Sequence, residues 1–214
     1  MNEAMHGAGE RLNQLLIEAG LAALDTEAAR QFEIYLSLFL RWNARVNLTS
    51  LRDEEGILRR HFVESIACVR ALPAGIATLL DFGSGGGFPG IPIAICRPEV
   101  AVTLAESQGK KAAFLQEAAR TLGISAQVHT GRAEALQTVF NCVVLRAVDR
   151  MEEAVRAAVR LVAPLGWLAL MTTQPDQPLL HAAAGPEFSW AAAVSLPGSE
   201  SRILSLGEKL GSAV

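Results

Sequence analysis

One run, from Leu79 to Gly90, constrains this chain more than any other: Leu-Leu-Asp-Phe-Gly-Ser-Gly-Gly-Gly-Phe-Pro-Gly. A short apolar segment carries a carboxylate, Asp81, near its end, and five glycines follow within eight residues. Pro89 and Pro92 then open an apolar stretch, Gly90 to Cys96, that reads as a helix. Strand, glycine turn and helix in that order form the cradle that α/β proteins build for nucleotide-like ligands. Glycine reaches positive φ and lets a ligand approach where a Cβ would stand in the way.

The literal pattern has two readings. Gly85, Gly87 and Gly90 satisfy G-x-G-x-x-G, with Glu106 about 20 residues on, where a dinucleotide fold places its ribose-binding acid. A diphosphate, however, needs free N–H groups at the helix start, and Pro89 and Pro92 have none to offer. Asp81, two residues before the first glycine, would repel a polyanion and welcome a cation. S-adenosylmethionine, with an ammonium, a sulfonium and no phosphate, suits that environment better. A glycine turn that binds nothing is the plainer alternative.

The 214 residues, half of them hydrophobic, suffice for one good core and an appendage. We expect the division to fall at 1–75, an N-terminal helical cap, and 76–214, the ligand-binding domain. No apolar run is long enough for a membrane span, and the acid-bearing start MNEAMHGAGE does not read as a secretory signal. Cys68, Cys96 and Cys142 lack metal-ligand spacing and read as buried thiols, which points to a reducing, cytoplasmic setting with no metal. A net charge of −3 means that any nucleic acid has to be met by a local patch.

Such a patch can be traced in the cap. Helices are predicted over 8–20 and 26–43, the second carrying the stripe Phe32, Tyr35, Leu36, Phe39 and Leu40, which reads as core packing. Its end crowds Arg41, Trp42, Asn43, Arg45 and Asn47 together, and Arg60 and His61 follow with Glu64 and Ser65. Between 30 and 70 there are seven arginines against five acids, in a chain that is acidic overall. Arginine offers both a fork for phosphate and a plane for stacking on a base, so this segment is the candidate RNA surface; a solvated face is the alternative.

From residue 77 the pattern alternates strictly. Strands are expected at 78–82, 100–105, 126–130, 141–145 and 167–172, helices at 90–96, 108–122 and 151–162, and a short turn at 133–137. Near-continuous apolar strands joined by helices imply an α/β fold with a mostly parallel sheet covered on both faces. Ligands of such sheets sit over the carboxyl ends of the strands. That rule selects Gly83 to Phe88, Glu106 with Ser107, Gly131 to Glu134, and Arg146. Glu106 can accept both ribose hydroxyls or cap the next helix. Asp81 and Glu134 add negative potential for a sulfonium. Arg146, expected at the pocket mouth, binds substrate or the donor carboxylate, or pairs with Asp149 or a nearby acid.

Taken together, several segments resemble one family. They are Arg41-Trp42-Asn43 with Asn47-Leu48-Thr49, Arg60-His61 with Ser65, Asp81 through the glycines to Phe88-Pro89-Gly90-Ile91-Pro92, Glu106-Ser107 with Lys110-Lys111, Arg132-Ala133-Glu134, and Arg146-Ala147. In order and over roughly residues 30–172, they are similar to the RsmG family of small-subunit rRNA methyltransferases, also called glucose-inhibited division protein B. The resemblance implies a class I, Rossmann-like methyltransferase using S-adenosylmethionine. It also implies 7-methylguanosine in 16S rRNA of the small ribosomal subunit as product, in the 530 loop at position 527 of the standard rRNA numbering. The donor contacts it implies are Gly83, Phe88, Glu106, Ala133, Glu134 and Arg146, to which the glycine bend adds Asp81, Gly85 and Gly87 and the next strand end adds Ser107. The RNA candidates are Arg41, Asn43, Arg45, Asn47, Arg60, His61 and Arg146.

One departure stands out. Family members usually carry Lys-Gly after the fifth strand, where this chain has Met171-Thr172-Thr173-Gln174-Pro175, and the tail beyond is poor in basic groups. The chemistry needs no acid, base or nucleophile: guanine N7 has an exposed lone pair and no proton, so positioning suffices. Strand four runs into Arg146-Ala147-Val148, without the Asp/Asn-Pro-Pro-aromatic run of amine methylation. A monomer is expected. A methyltransferase for another substrate, a nicotinamide-dependent oxidoreductase and a non-catalytic assembly factor are the alternatives.

Overall fold

The computed structural model describes residues 7–211, so residues 1–6, where the start does not read as a secretory signal, lie outside the described residues. The cap is built from α1 (Ala8–Glu18), α2 (Thr26–Val46), α3 (Glu54–Ile57) and α4 (Glu64–Ala71), with a π-helical turn over Leu58–Val63 joining the last two. Asp25 caps α2 by accepting from the Ala28 N–H, and Asn47 ends it in the left-handed conformation. The helices expected over 8–20 and 26–43 are therefore present, the first shorter and the second longer.

The sheet follows. Its strands are β1 (Thr78–Phe82), β2 (Ala101–Glu106), β3 (Ala126–Thr130), β4 (Phe140–Arg146), β5 (Val162–Thr173), β6 (Phe188–Trp190), β7 (Val194–Ser195) and β8 (Arg202–Lys209). The order β3-β2-β1-β4-β5-β8-β6 is parallel through β5, and β8 then runs antiparallel between β5 and β6. The crossovers carry α5 (Gly90–Cys96), α6 (Gly109–Leu122) and α7 (Met151–Ala158), and α8 (Gln177–Ala184) precedes β6. The expected parallel core is thus present. The antiparallel edge and α8 were not foreseen, because the tail's short apolar pieces carry no strong period.

Strand alternation sorts the core into two layers. Leu79, Cys142, Val144 and Ala169 face one cluster, which continues through α5 and α6 into Leu12, Phe32, Phe39 and Phe62 of the cap. Leu80, Phe82, Val143, Leu145 and Leu168 face the other, under α7 and α8. Apolar packing therefore crosses the 75/76 division without a break. β5 starts five residues before the expected point because Val162 pairs with Phe140 ahead of an irregularity, and regular pairing resumes at Trp167. Leu165, with φ of 58°, lies within that irregular stretch. Cys68 and Cys142 are buried and Cys96 half-buried, all as free thiols.

Candidate functional site

The sheet order reverses between β1 and β4, which is where an open parallel sheet leaves a crevice over its strand ends. A cavity of about 450 Å³ lies there, within the usual range for cofactor-sized pockets. All four places selected from the sequence meet in it: Gly83 to Gly86 with Phe88, then Glu106 to Gln108, then Gly131 to Glu134, and Arg146 to Arg150. The cap closes it with Phe39, Leu48 and His61.

The bend itself is held from two sides. Gly83, Gly85 and Gly87 have φ of 75°, 54° and 87°. On one side Glu106 grips the bend, its two carboxylate oxygens accepting from the N–H of Gly85 at 2.9 Å and of Gln108 at 2.7 Å. So both expected roles of Glu106, helix start and ligand acid, can coexist, since each oxygen keeps a second lone pair. On the other side the Tyr35 hydroxyl donates to the Gly86 carbonyl at 2.6 Å. Tyr35 is the chain's one tyrosine, set in an apolar stripe where its hydroxyl needs a partner; that need was the available signal, and it was missed.

The start of α5 has no N–H groups to lend a diphosphate. Gly90 N–H donates to Asp81 Oδ2 at 3.0 Å, Ile91 N–H donates to the Gly87 carbonyl at 2.8 Å, and Pro92 has none. By contrast, the turn over Ala133–Ala135 opens beside the cavity, and a helix start leaves its first N–H groups without intrahelical partners. A carboxylate at a strand tip, backbone donors one strand over and an apolar wall at Phe88 fit the ribose and adenine of S-adenosylmethionine.

Several expectations need correction. Asp81 does not line the cavity: alternation along β1 turns it to the face covered by α5, where it is 1 % exposed. Burial, opposed by its hydrogen bonds, pushes its pKa up to about 7, so near neutral pH it is only partly ionised, away from the cavity lining. Gly87 also stays out of the cavity, packed toward Ile91 and Tyr35. Asn43 is buried and no RNA contact; its amide accepts from Thr49 N–H and donates to the Leu51 carbonyl, folding the loop after α2. Arg146 is a buried wall, 7 % exposed at its side chain, rather than a mouth, and of the acids open to it the partner is Glu64 at 2.9 Å.

The other candidates divide. Arg41 and Arg45 are exposed, Arg41 lying 3.7 Å from Glu117, and Asn47 accepts from Arg52. Trp42 is turned inward, its indole N–H donating to Glu117. Arg60 pairs with Glu64 at 2.6 Å. His61 stacks on Phe88 with ring centroids 5.1 Å apart and meets the Thr49 hydroxyl at 2.8 Å.

Burial first, then Arg146 and Arg60, push the His61 pKa down from 6.5 to about 3. The folded chain therefore refuses a proton that the unfolded chain accepts. His61's contribution is complete above pH 6.5 and is lost as pH falls toward 3. Asp81, raised from 3.8 to about 7, acts oppositely: protonation relieves its burial as pH falls through that window. The two are separated by comparison with His61→Gln. From pH 7 to pH 5 the wild-type chain is expected to lose about 2 kcal/mol more than the variant in urea unfolding. Parallel pH curves would mean that the folded ring titrates normally.

Comparison with known proteins agrees with this geometry. The family model described as rRNA small subunit methyltransferase G matches residues 28–203. Among curated relatives, the "Ribosomal RNA small subunit methyltransferase G" of Stenotrophomonas maltophilia (strain K279a) is 38 % identical over 188 residues, covering 85 % of this chain and 88 % of that one. The protein of the same name from Neisseria meningitidis serogroup B is 38 % identical over 168 residues, covering 75 % and 81 %. Among solved structures, a SAM-dependent methyltransferase from Aquifex aeolicus superposes with a TM-score of 0.60 at 14 % identity, covering 77 % of this chain and 97 % of that one. That likeness concerns the fold, the class I methyltransferase fold with a helical cap added before it. The family match over most of the length has one consequence: this chain belongs to the rRNA small subunit methyltransferase G family.

Proposed function

We propose that this protein transfers a methyl group from S-adenosylmethionine to N7 of a guanosine in 16S rRNA, at position 527 in the 530 loop. It would act as a monomer on the small ribosomal subunit, in the cytoplasm. The observation that carries the reading is the bend locked between Glu106 and Tyr35, with the α5 start sealed by Asp81 and Gly87. Such a cradle suits a ligand with a ribose and no phosphate, since it denies a diphosphate the donors it needs. Among the described residues no helix is long and apolar enough to cross a membrane, and no acid–histidine–cysteine cluster could hold a metal.

When bound, S-adenosylmethionine supplies an electrophilic methyl carbon on a sulfonium. Glu106 would hold the ribose, the Ala133–Glu134 turn the adenine, and Phe88 an apolar side of the cavity. Guanine N7 would present a lone pair that bears no proton, so no side chain of this protein would have to remove one. His61, neutral and stacked on Phe88, shapes the wall rather than acting as a base. The exposed end of α2, with Arg41 and Arg45 near the cavity-lining Leu48, would meet the RNA backbone.

The test is transfer of labelled methyl to small subunits from a strain lacking the activity, followed by mapping of the labelled nucleotide. Label at guanine N7 in the 530 loop is the expected result. Label on an exocyclic amine, or on protein, would sink the reading. Glu106→Ala, which removes the ribose acceptor and an anchor of the bend, is expected to weaken S-adenosylhomocysteine binding about 10- to 100-fold, the worth of charge-assisted hydrogen bonds.

A further inference from the structure

Beside the donor cavity lies a smaller one of about 210 Å³, which shares only Arg146 and Ala147 with it. Its walls come from distant parts of the chain: Arg60 and Glu64 from the cap, Met171 to Thr173 from the end of β5, and Arg202 from the start of β8. Glu64 is 0 % exposed, with Arg60 at 2.6 Å, Arg146 at 2.9 Å and Arg202 at 2.5 Å from its oxygens. One buried carboxylate thus serves three guanidinium groups. Asp176 also lines the cavity, but it is exposed and accepts from the Thr173 hydroxyl at 2.6 Å.

The imbalance is local and partly desolvated. Arg146 is almost wholly buried, and burial pulls its pKa down to about 10 despite Glu64. The buried Nε of Arg202 makes no aligned hydrogen bond, although it lies close to Glu64 in distance. Unmatched positive charge away from water is costly unless an anion completes the cluster. Guanidinium forks suit tetrahedral oxyanions, and the Thr172 hydroxyl on the same wall can add a donor.

We propose that this cavity is a phosphate subsite, taking a backbone phosphate of the RNA next to the nucleotide being methylated. The inference rests on the RNA-methylating reading above and adds Arg202, a residue of the tail, to the substrate surface. The shared Arg146 places the subsite directly against the donor cavity. The rival anion is the donor's own carboxylate. Arg60 and Arg202 line only the smaller cavity, which favours the phosphate.

The experiment measures binding of unmethylated 16S rRNA across a salt series, with S-adenosylhomocysteine saturating, for wild type, Arg202→Gln, Arg202→Lys and Arg60→Gln. Arg202→Gln and Arg60→Gln are each expected to weaken RNA binding roughly 5- to 10-fold near physiological salt. Each should flatten the log–log salt slope by about one, while Arg202→Lys retains the slope. Affinity for S-adenosylhomocysteine should stay within about twofold of wild type. A merely structural role for Arg202 would shift melting and leave the slope alone, and Arg60→Gln gives an answer even if Arg202→Gln fails to fold. Unchanged slopes in the glutamine variants overturn the proposal. So does a loss of S-adenosylhomocysteine affinity in place of RNA affinity, which would assign the cluster to the donor carboxylate. A wild-type protein that shows these slopes but transfers no methyl to RNA would refute the proposed activity and leave the subsite standing.

Discussion

Gly87→Ala is expected to destabilise the protein by about 4 kcal/mol and to weaken S-adenosylhomocysteine binding at least ~100-fold. Two costs coincide at this position. Its φ of +87° is unfavourable for any residue with a Cβ, and an added Cβ would lie 2.5 Å from Ile91 Cδ1 and 2.7 Å from the Tyr35 hydroxyl. Tyr35 is fully buried among Phe39, Phe62 and Phe88, so it has little room to retreat. Any retreat would strain the hydrogen bond that fixes the Gly86 carbonyl, and with it the floor of the donor cavity. Gly75 is the control, having φ of +80° with nothing within 4 Å of an added Cβ. Gly75→Ala carries backbone strain alone and should cost about 1 kcal/mol with donor binding untouched. Thermal melting and calorimetric titration of both variants decide it. Equal behaviour of the two would show that the neighbours of Gly87 give way freely.

That contrast also shows how far the order of residues reveals the site. The strand–glycine–helix pattern and the alternation after residue 77 are local signals, so the parallel core and the four loops at its carboxyl edge could be read directly. What escaped depends on orientation or on long-range contact. β1 is buried on both faces, so nothing in Leu79-Leu80-Asp81-Phe82 marks the side to which Asp81 points. Asn43 looks as available as Arg41 or Arg45 in a polar segment, until the loop after α2 folds back onto its amide. The tail looked poor in basic groups, yet β8 inserts antiparallel beside β5 with Arg202 opposite Thr173. One arginine in the right register then matters more than the count. Tyr35 was legible only in part: its apolar spacing placed it in the core, but not its hydroxyl on the glycine bend.

Glu64→Ala is expected to cost about 3–5 kcal/mol, the range for removing one partner of a buried ion pair. The residue is inaccessible to solvent, and its oxygens meet Arg60, Arg146 and Arg202, so its loss leaves three cations facing each other. Arg60 and Arg202, whose side chains are 39 % and 25 % exposed, can turn toward water. Arg146 cannot: it is 7 % exposed and tied to the Ser65 hydroxyl and the Arg60 carbonyl. The penalty therefore falls mainly on Arg146, and removing that charge as well should relieve it. Glu64→Leu combined with Arg146→Met, close in volume and free of buried charge, is expected to recover at least ~2 kcal/mol relative to the sum of the single losses, as coupled neighbours do. Urea unfolding of wild type, Glu64→Leu, Arg146→Met and the double variant measures the coupling, with Glu64→Ala measured beside them. A single-variant cost below about 1 kcal/mol would mean that water enters the cluster and that the pair is not truly desolvated. The recovered double variant also bears on function: if it folds and yet transfers no methyl, the Glu64–Arg146 pair is needed for the reaction itself, and not for stability alone.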